Sequence, residues 1–463
     1  MHDLPDQRRL TSRPSMSICG KFLARLSGSG ASRKVFKASA AALVVKCAGL
    51  GISFALTLVL TRALGVTGFG AYSLAISWVL LFAVPVQAGL VGVVVRETAG
   101  YKAVGDWSSA KGLLLLGNVT CFIVSVSSAS VFALYWTQVE VSQSGLSSEI
   151  LIWIALLVPV YCLSALRSAV LRGLGRVTEG LAPEQVLRPA MQLAVIIFIV
   201  SFLDKGLDPE TALRAHFIAA VTTFVVGVAL LLRATPSEIR GATPAYHAWK
   251  WLKPMLAFAL VSGFGSILQS LVTVILAASA STQDVGLLKA SQQLAMLSGL
   301  VVLAVNSAAA PHVASLLRLG ELQELARLLR RFARIMFIGT LVPAVVLMIW
   351  GGEVLSFLFG EDFAKGGTTL LVTTVGQVLL STLGLVGLTL NMAGFERDTL
   401  ACCVIAMVIA IASAFPLTTE FGAVGAALAI VIGQFVMQGL LLRRLKSRVG
   451  ISSSVLPGAR HGE

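Results

Sequence analysis

Charge is what this chain has least of. Of its 463 residues only 13% are Asp, Glu, Lys or Arg, against 56% hydrophobic, and the mean hydropathy is +0.88. A soluble domain carries about 25% charged residues, and half that share cannot coat a soluble body of this size. A soluble enzyme and a disordered chain are both excluded, which leaves a polytopic, all-α membrane protein. Histidine is scarce as well. His2, His216, His247, His312 and His461 show no metal-ligand spacing and no Walker A run is present, so no metal, cofactor or ATP hydrolysis is expected. The six cysteines (Cys19, Cys47, Cys121, Cys162, Cys402, Cys403) fall almost all inside apolar stretches. They read as small buried hydrophobes, with no disulfide framework or zinc site.

What is present is a series of apolar runs. A spanning helix needs about 20 mostly apolar residues, and the sequence predicts twelve spans: 38–60, 72–95, 112–136, 150–171, 190–203, 213–232, 255–280, 286–317, 335–350, 369–391, 399–417 and 422–442. The fifth is short and borrows from its flanks. The eighth contains Pro311, so it is either kinked there or runs out of the membrane. Pro85, Pro159 and Pro343 also lie inside spans, where neighbouring helices or water must satisfy the freed carbonyls. With the N-terminus inside, 29 of the 36 Lys and Arg fall in inner segments. Only 4 (Arg62, Lys205, Arg214, Lys365) fall in outer loops. This asymmetry predicts that both termini are cytoplasmic, and it gives the net charge of +14 a membrane explanation, with no nucleic-acid partner implied.

The organisation expected is a basic cytoplasmic tail (1–37), a six-helix bundle (38–232), a cytoplasmic linker (233–253), a second six-helix bundle (254–442) and a cytoplasmic tail (443–463). Within the first tail, Ile18, Phe22 and Leu26 with Lys21 and Arg25 between form either a membrane-surface helix or a plain disordered segment. Met16 is an alternative start. Pro236, Gly241, Pro244 and Pro254 punctuate the linker region. Phe69-Gly70 has a counterpart 216 residues on in Val285-Gly286, and Gly175 one 219 residues on in Gly394. Because each half has an even number of spans, the repeat is parallel, a pseudo-two-fold about the membrane normal.

Cations inside the membrane are the informative residues, since such groups face cavities and mark pathways. Lys46 lies eight residues into the first span, about 12 Å deep at 1.5 Å per residue. Arg167 lies near the inner end of the fourth and Lys289 near the outer end of the eighth. Each has a second reading as a snorkelling side chain that reaches the headgroups. No Asp or Glu is expected well inside any span, and Glu353 and Glu361 sit at the outer edge. Arg62 and Arg96 stand at opposite mouths, and Arg172, Arg176 and Arg188 surround the Gly173-Leu174-Gly175 turn. These residues are either positive-inside anchors or substrate contacts. A cationic interior without acids favours an anionic substrate over a cationic drug. Arg318, Arg327, Arg330, Arg331 and Arg334, with leucines between, predict an amphipathic helix facing the headgroups.

The segment Leu60-Thr61-Arg62-Ala63-Leu64-Gly65-Val66-Thr67-Gly68-Phe69-Gly70-Ala71-Tyr72 resembles the opening signature of Wzx-type polysaccharide flippases. So do Gln87-Ala88-Gly89-Leu90 running on to Arg96-Glu97, then Leu171 to Arg176, Gly352 to Gly360 and Phe421 to Ala427. The resemblance covers about 36–442 in the right order. It implies a member of the multidrug/oligosaccharidyl-lipid/polysaccharide exporter superfamily, with a short outer helix over Glu353 to Gly360 after the ninth span. The implied substrate is a polyprenyl-pyrophosphate-linked oligosaccharide, turned across the bacterial cytoplasmic (inner) membrane by alternating access, with a polysaccharide polymerase and glycosyltransferases as partners beside membrane lipids. Lys46, Arg62, Arg96, Arg167, Arg172, Arg188 and Lys289 are the candidate substrate contacts. The alternative is an ion-coupled multidrug or cation exporter, which would want acids in the spans.

Overall fold

The computed structural model describes residues 30–138, 147–202 and 206–450, and these are helical with no strand among them. The tail segment at 18–26 and the alternative start lie outside the described residues. The first helix, Gly30–Val84, has one non-helical residue, Gly65 (φ 67°, ψ −179°). That glycine divides it into α1 (30–64) and α2 (66–104), the latter passing through a π turn at Pro85–Leu90. Next come α3 (Trp107–Gln138), α4 (Ser148–Gly173), α5 (Val177–Phe202) and α6 (Pro209–Ala234). The second half holds α7 (Met255–Ser279), α8 in two arms (Thr282–Ser298 and Leu300–Leu319), α9 (Leu322–Ile349) and α10 (Glu361–Leu383). The last helix, Glu396–Val449, breaks at Gly422 (φ 53°) into α11 (396–421) and α12 (423–449). Nine helices are long and apolar enough to span, ten with the bent α8, and dividing two of them at Gly65 and Gly422 brings the described spans to twelve.

Several boundaries differ from the sequence reading, each for a local reason. No loop forms at 61–69, because one positive-φ glycine reverses the chain and helix resumes on both sides. α8 bends by 54° at Gly299; Pro311 sits within a continuous helical arm. The fifth span begins at Val177 and carries Pro183 into a π turn over Pro183–Leu187, which brings Glu184 inside a span. The expectation of an acid-free interior is therefore wrong. The arginine-rich stretch does not lie flat on a surface by itself. It opens α9, and its Leu325 and Leu329 are fully buried in a cluster with Leu441 and Leu445 of α12, while Arg327 stays exposed. Cys121, Cys162, Cys402 and Cys403 are buried as expected, whereas Cys47 is exposed.

The weak repeat marks the point where the halves cross. A Cβ on Gly70 would lie 1.9 Å from the Thr282 carbonyl oxygen, and one on Gly286 would lie 2.1 Å from that of Val66. Residues 66 and 70 shifted by 216 are 282 and 286, so the two contacts are reciprocal across a pseudo-two-fold axis. Glycine permits this approach because backbone can meet backbone without a side chain between. Chain alternation puts this crossing at the end opposite Lys102, Lys111, Arg176, Arg240 and Lys250. The two ends are called here the far end and the basic end.

Candidate functional site

Most hydroxyls in the spans bond back onto their own helix. Thr57, Thr61, Ser125, Thr273 and Thr389 each donate to the carbonyl four residues earlier at 2.6–2.9 Å. Such groups are satisfied locally and need no partner helix. Others bond between helices, singly as in Ser279 to Thr418 at 2.7 Å and Ser168 to the Gly180 carbonyl at 2.7 Å, and two groups of such contacts involve the candidate cations.

The first is the far end. Arg62, three residues before the Gly65 break, donates from Nη2 to the Phe357 carbonyl at 2.7 Å and from Nε to that of Leu358 at 3.0 Å. Those carbonyls end the short helix Gly351–Phe359, which answers to the short helix implied by the resemblance over Glu353 to Gly360. The cation complements the partial negative charge where the helix ends. Phe54 meets Phe359 edge-on with ring centroids 6.2 Å apart, and Phe69 meets Phe363 at 6.3 Å. With the glycine crossing, these contacts close the far end.

The second lies inside the first half. His216 on α6 bridges two tyrosines, with Nδ1 2.7 Å from the Tyr72 hydroxyl and Nε2 2.8 Å from that of Tyr161. Gln192 Nε2 donates to Tyr72 at 2.8 Å. Beside them Glu184 accepts from Arg167 Nη2 and, at 3.1 Å, pairs with Arg188 Nη1. The Arg188 guanidinium stacks over Tyr161 at 4.4 Å. These groups line or adjoin a cavity of about 230 Å³. Arg167 is not a snorkelling residue: it is 3% exposed and packed against Gly227. Removing Glu184 would leave Arg167 desolvated and unpaired, and uncompensated charge of that kind costs about 3–5 kcal/mol. Sequence reading missed Glu184, His216, Tyr72, Tyr161 and Gln192 as functional candidates. The available signal was Glu184 and Arg188 spaced i,i+4 between Pro183 and Pro189.

The remaining candidates are scattered. Arg96 is exposed at the basic end, 3.1 Å from Glu97 and 5.6 Å above the Phe258 ring. Glu97 also pairs with Lys250 at 3.2 Å. Arg172 is half-buried and donates to the Ser168 carbonyl at 3.3 Å. Lys46 and Lys289 are half-buried, and neither bonds or pairs with any side chain among the described residues. The neighbourhood of Lys46 is open, with Val44 67% exposed and Cys47 and Ala48 exposed too. No group of three or more His, Cys, Asp or Glu placed to hold a metal occurs among the described residues.

The family described as Polysaccharide biosynthesis protein matches residues 35–317. The chain belongs to that family. It is similar to an inward-facing multidrug resistance MATE family transporter of the MOP superfamily, with TM-score 0.69, 16% identity, and coverage of 88% of this chain and 98% of that one. It is also similar to the lipid II flippase MurJ in an inward closed conformation, with TM-score 0.68, 13% identity and 87% of each chain covered. By sequence it is 22% identical over 405 residues to the probable low-salt glycan biosynthesis flippase Agl15 of Haloferax volcanii, covering 87% of this chain and 82% of that protein. For this family member, the likeness to the MATE transporter and to MurJ shows the fold that they share with it.

Proposed function

We propose that this protein is a flippase and not an enzyme, turning a polyprenyl-pyrophosphate-linked oligosaccharide across a bacterial inner membrane by alternating access, with both termini cytoplasmic. The observation that carries the reading is Lys46. It is the cation nearest the middle of the open stretch of α1 and has no ion-pair partner among the described residues. A bare pyrophosphate entering the low-dielectric interior loses several kcal/mol per charge even after relaxation, and an unpaired lysine offsets that through charge-assisted hydrogen bonds. Arg96 at the basic end would meet the headgroup on entry. Arg172, Arg188, Arg167 and Lys289 stay in second rank, the first three because each already has a partner. Arg62 is committed to the short outer helix, so it acts on closure of the far end. The closed far end and the positive-inside charge distribution support entry from the cytoplasmic side. Glycosyltransferases that build the lipid-linked unit and a polymerase that consumes it are the partners this reading requires.

The cation-exporter alternative gains one buried acid, Glu184, but that carboxylate is shared by two arginines and offers a cation no net attraction. The test is glycan export in a strain carrying Lys46→Gln, Lys46→Arg or Lys46→Glu as its sole copy, at matched protein level. Export is expected to fall at least about tenfold with Gln, to be rescued by Arg and to vanish with Glu. Full export with both Gln and Glu would remove Lys46 and the cationic path together.

A further inference from the structure

The cavity in the first half has a hydrogen inventory that does not balance within itself. The Tyr72 and Tyr161 hydroxyls and a neutral His216 ring bring three polar hydrogens to two His–Tyr hydrogen bonds. If Tyr72 donates to Nδ1, Nε2–H donates to Tyr161 and the Tyr161 hydrogen is left over. If the tautomer is reversed, the Tyr72 hydrogen is left over instead. With Gln192 Nε2 donating into Tyr72 the amide relieves neither case, and with the amide turned over it would accept only the Tyr72 hydrogen; protonating His216 frees a second hydroxyl hydrogen. Ser53 adds a hydroxyl to the wall with no partner among the described residues.

Charge points the same way. The ionisable groups facing the cluster are Arg167 from α4, Glu184 and Arg188 from α5, and His216 from α6, with Tyr72 and Tyr161 protonated; α1 contributes none. Two cations share one carboxylate, so the cluster is net +1 with His216 neutral. Arg167 also keeps Nε and Nη1 buried without an acceptor. Arg188 is the cation with access to the open volume, its side chain 23% exposed. A buried site with spare donors and surplus positive charge wants an acceptor that carries negative charge.

We propose that this cavity is a binding site for a phosphate-class oxyanion, held by the Arg188 guanidinium and the spare tyrosyl and Ser53 hydroxyls, with Glu184 as the resident competitor. The site stands on its own geometry and is independent of the flippase reading, since its test involves no transport. The probe is inorganic phosphate titrated against gluconate at constant ionic strength, read as the thermal midpoint of the purified full chain. Phosphate is expected to raise the midpoint saturably. Glu184→Gln is expected to tighten the apparent affinity about tenfold, because it removes the competing charge. A purely structural carboxylate would give no such gain. Arg188→Gln is expected to abolish the response, and Tyr161→Phe, which keeps the ring under Arg188, to weaken it about threefold should Arg188→Gln not fold. Adding a short-chain polyprenyl pyrophosphate separates the sources: displacement of phosphate assigns the site to a lipid headgroup, and no displacement assigns it to a free anion. The proposal is overturned if neither wild type nor Glu184→Gln responds saturably, if Arg188→Gln and Tyr161→Phe both respond like wild type, or if exchange of sodium for potassium reproduces the shift.

Discussion

Two seams join the halves, α2 against α7 and α1 against α8, and the repeat makes them equivalents. At the first, a Cβ on Gly89 would lie 2.7 Å from the Met255 carbonyl, one on Gly92 3.0 Å from the Phe258 ring, and one on Gly263 2.9 Å from the Ala88 Cβ. The helices meet there at van der Waals distance. A shift of 216 maps Gly89 and Gly263 onto Val305 and Cys47 of the other seam. Without glycine such an approach is blocked, and α8 turns away by 54° at Gly299, so that α1 and its second arm touch at few points. The open seam also carries the charge, since Lys46 stands where the closed seam has Ser262. One repeat has thus been edited into a closed hinge and an open slot by exchanging glycines for larger residues and one serine for lysine.

The largest effect is expected at the point both seams share, the far-end crossing. Gly70→Val and Gly286→Val each drive a side chain into a partner backbone oxygen. Overpacking of this kind costs about 1–3 kcal/mol or more, and neither backbone can give way without parting the halves. A fall in thermal midpoint of several degrees is expected for each. Gly51→Val should leave the midpoint nearly unchanged, because nothing lies within 4 Å of a Cβ there. Equal effects at all three positions would mean that the crossing has no special role.

Arg62 gives the next effect. Arg62→Gln removes two hydrogen bonds from a charged donor to the short far-end helix Gly351–Phe359. Bonds to a charged group contribute about 1.5–3 kcal/mol each, but Arg62 is exposed and water replaces much of what is lost, so the two together are expected to contribute about 1.4 kcal/mol, a factor of ten. The far end should open about tenfold more often. The readout is alkylation of a cysteine placed at Val285, which is fully buried beside the crossing. An unchanged rate would release Arg62 from the latch role and return it to the substrate contacts.

How much of this was legible beforehand depended on the length scale of the signal. The spans, the parallel halves and the repeat of Phe69-Gly70 in Val285-Gly286 were readable, since hydropathy runs and a repeated glycine are local features; that the two glycines meet in a crossing was not. The fifth span was cut short because Pro183, Glu184, Gln185 and Arg188 depress its hydropathy, although these residues are what makes that helix functional. Nothing in the sequence pairs Glu184 with Arg167 seventeen positions earlier, since that pairing needs two helices brought side by side. Pro311 drew attention as a kink site, yet Gly299 carries the bend. A proline removes one hydrogen bond, and neighbouring groups can restore the helix around it.

The smallest expected effect is also the most direct test of the comparison, because it perturbs the fold least. Cys47 is exposed on the open seam, and its equivalent Gly263 is packed on Ala88 in the closed one. With Cys47 as the sole cysteine, a membrane-permeant maleimide should react at least about tenfold faster than with Gly263→Cys as the sole cysteine. Similar rates would mean that both seams open alike and that the asymmetry is not a property of the protein in a membrane. Coupling then sharpens the result. If the halves rock as rigid bodies, a change that favours opening of the far end must disfavour opening of the slot by the same free energy, since the two are faces of one equilibrium. Adding Arg62→Gln should therefore slow Cys47 labelling. The slowing stays within about twofold while the slot-open state still accounts for half or more of the molecules, because labelling follows that population. Cys47 labelling that stays constant while the Val285 site opens would show that the latch moves the short far-end helix alone, leaving the slot to open on its own.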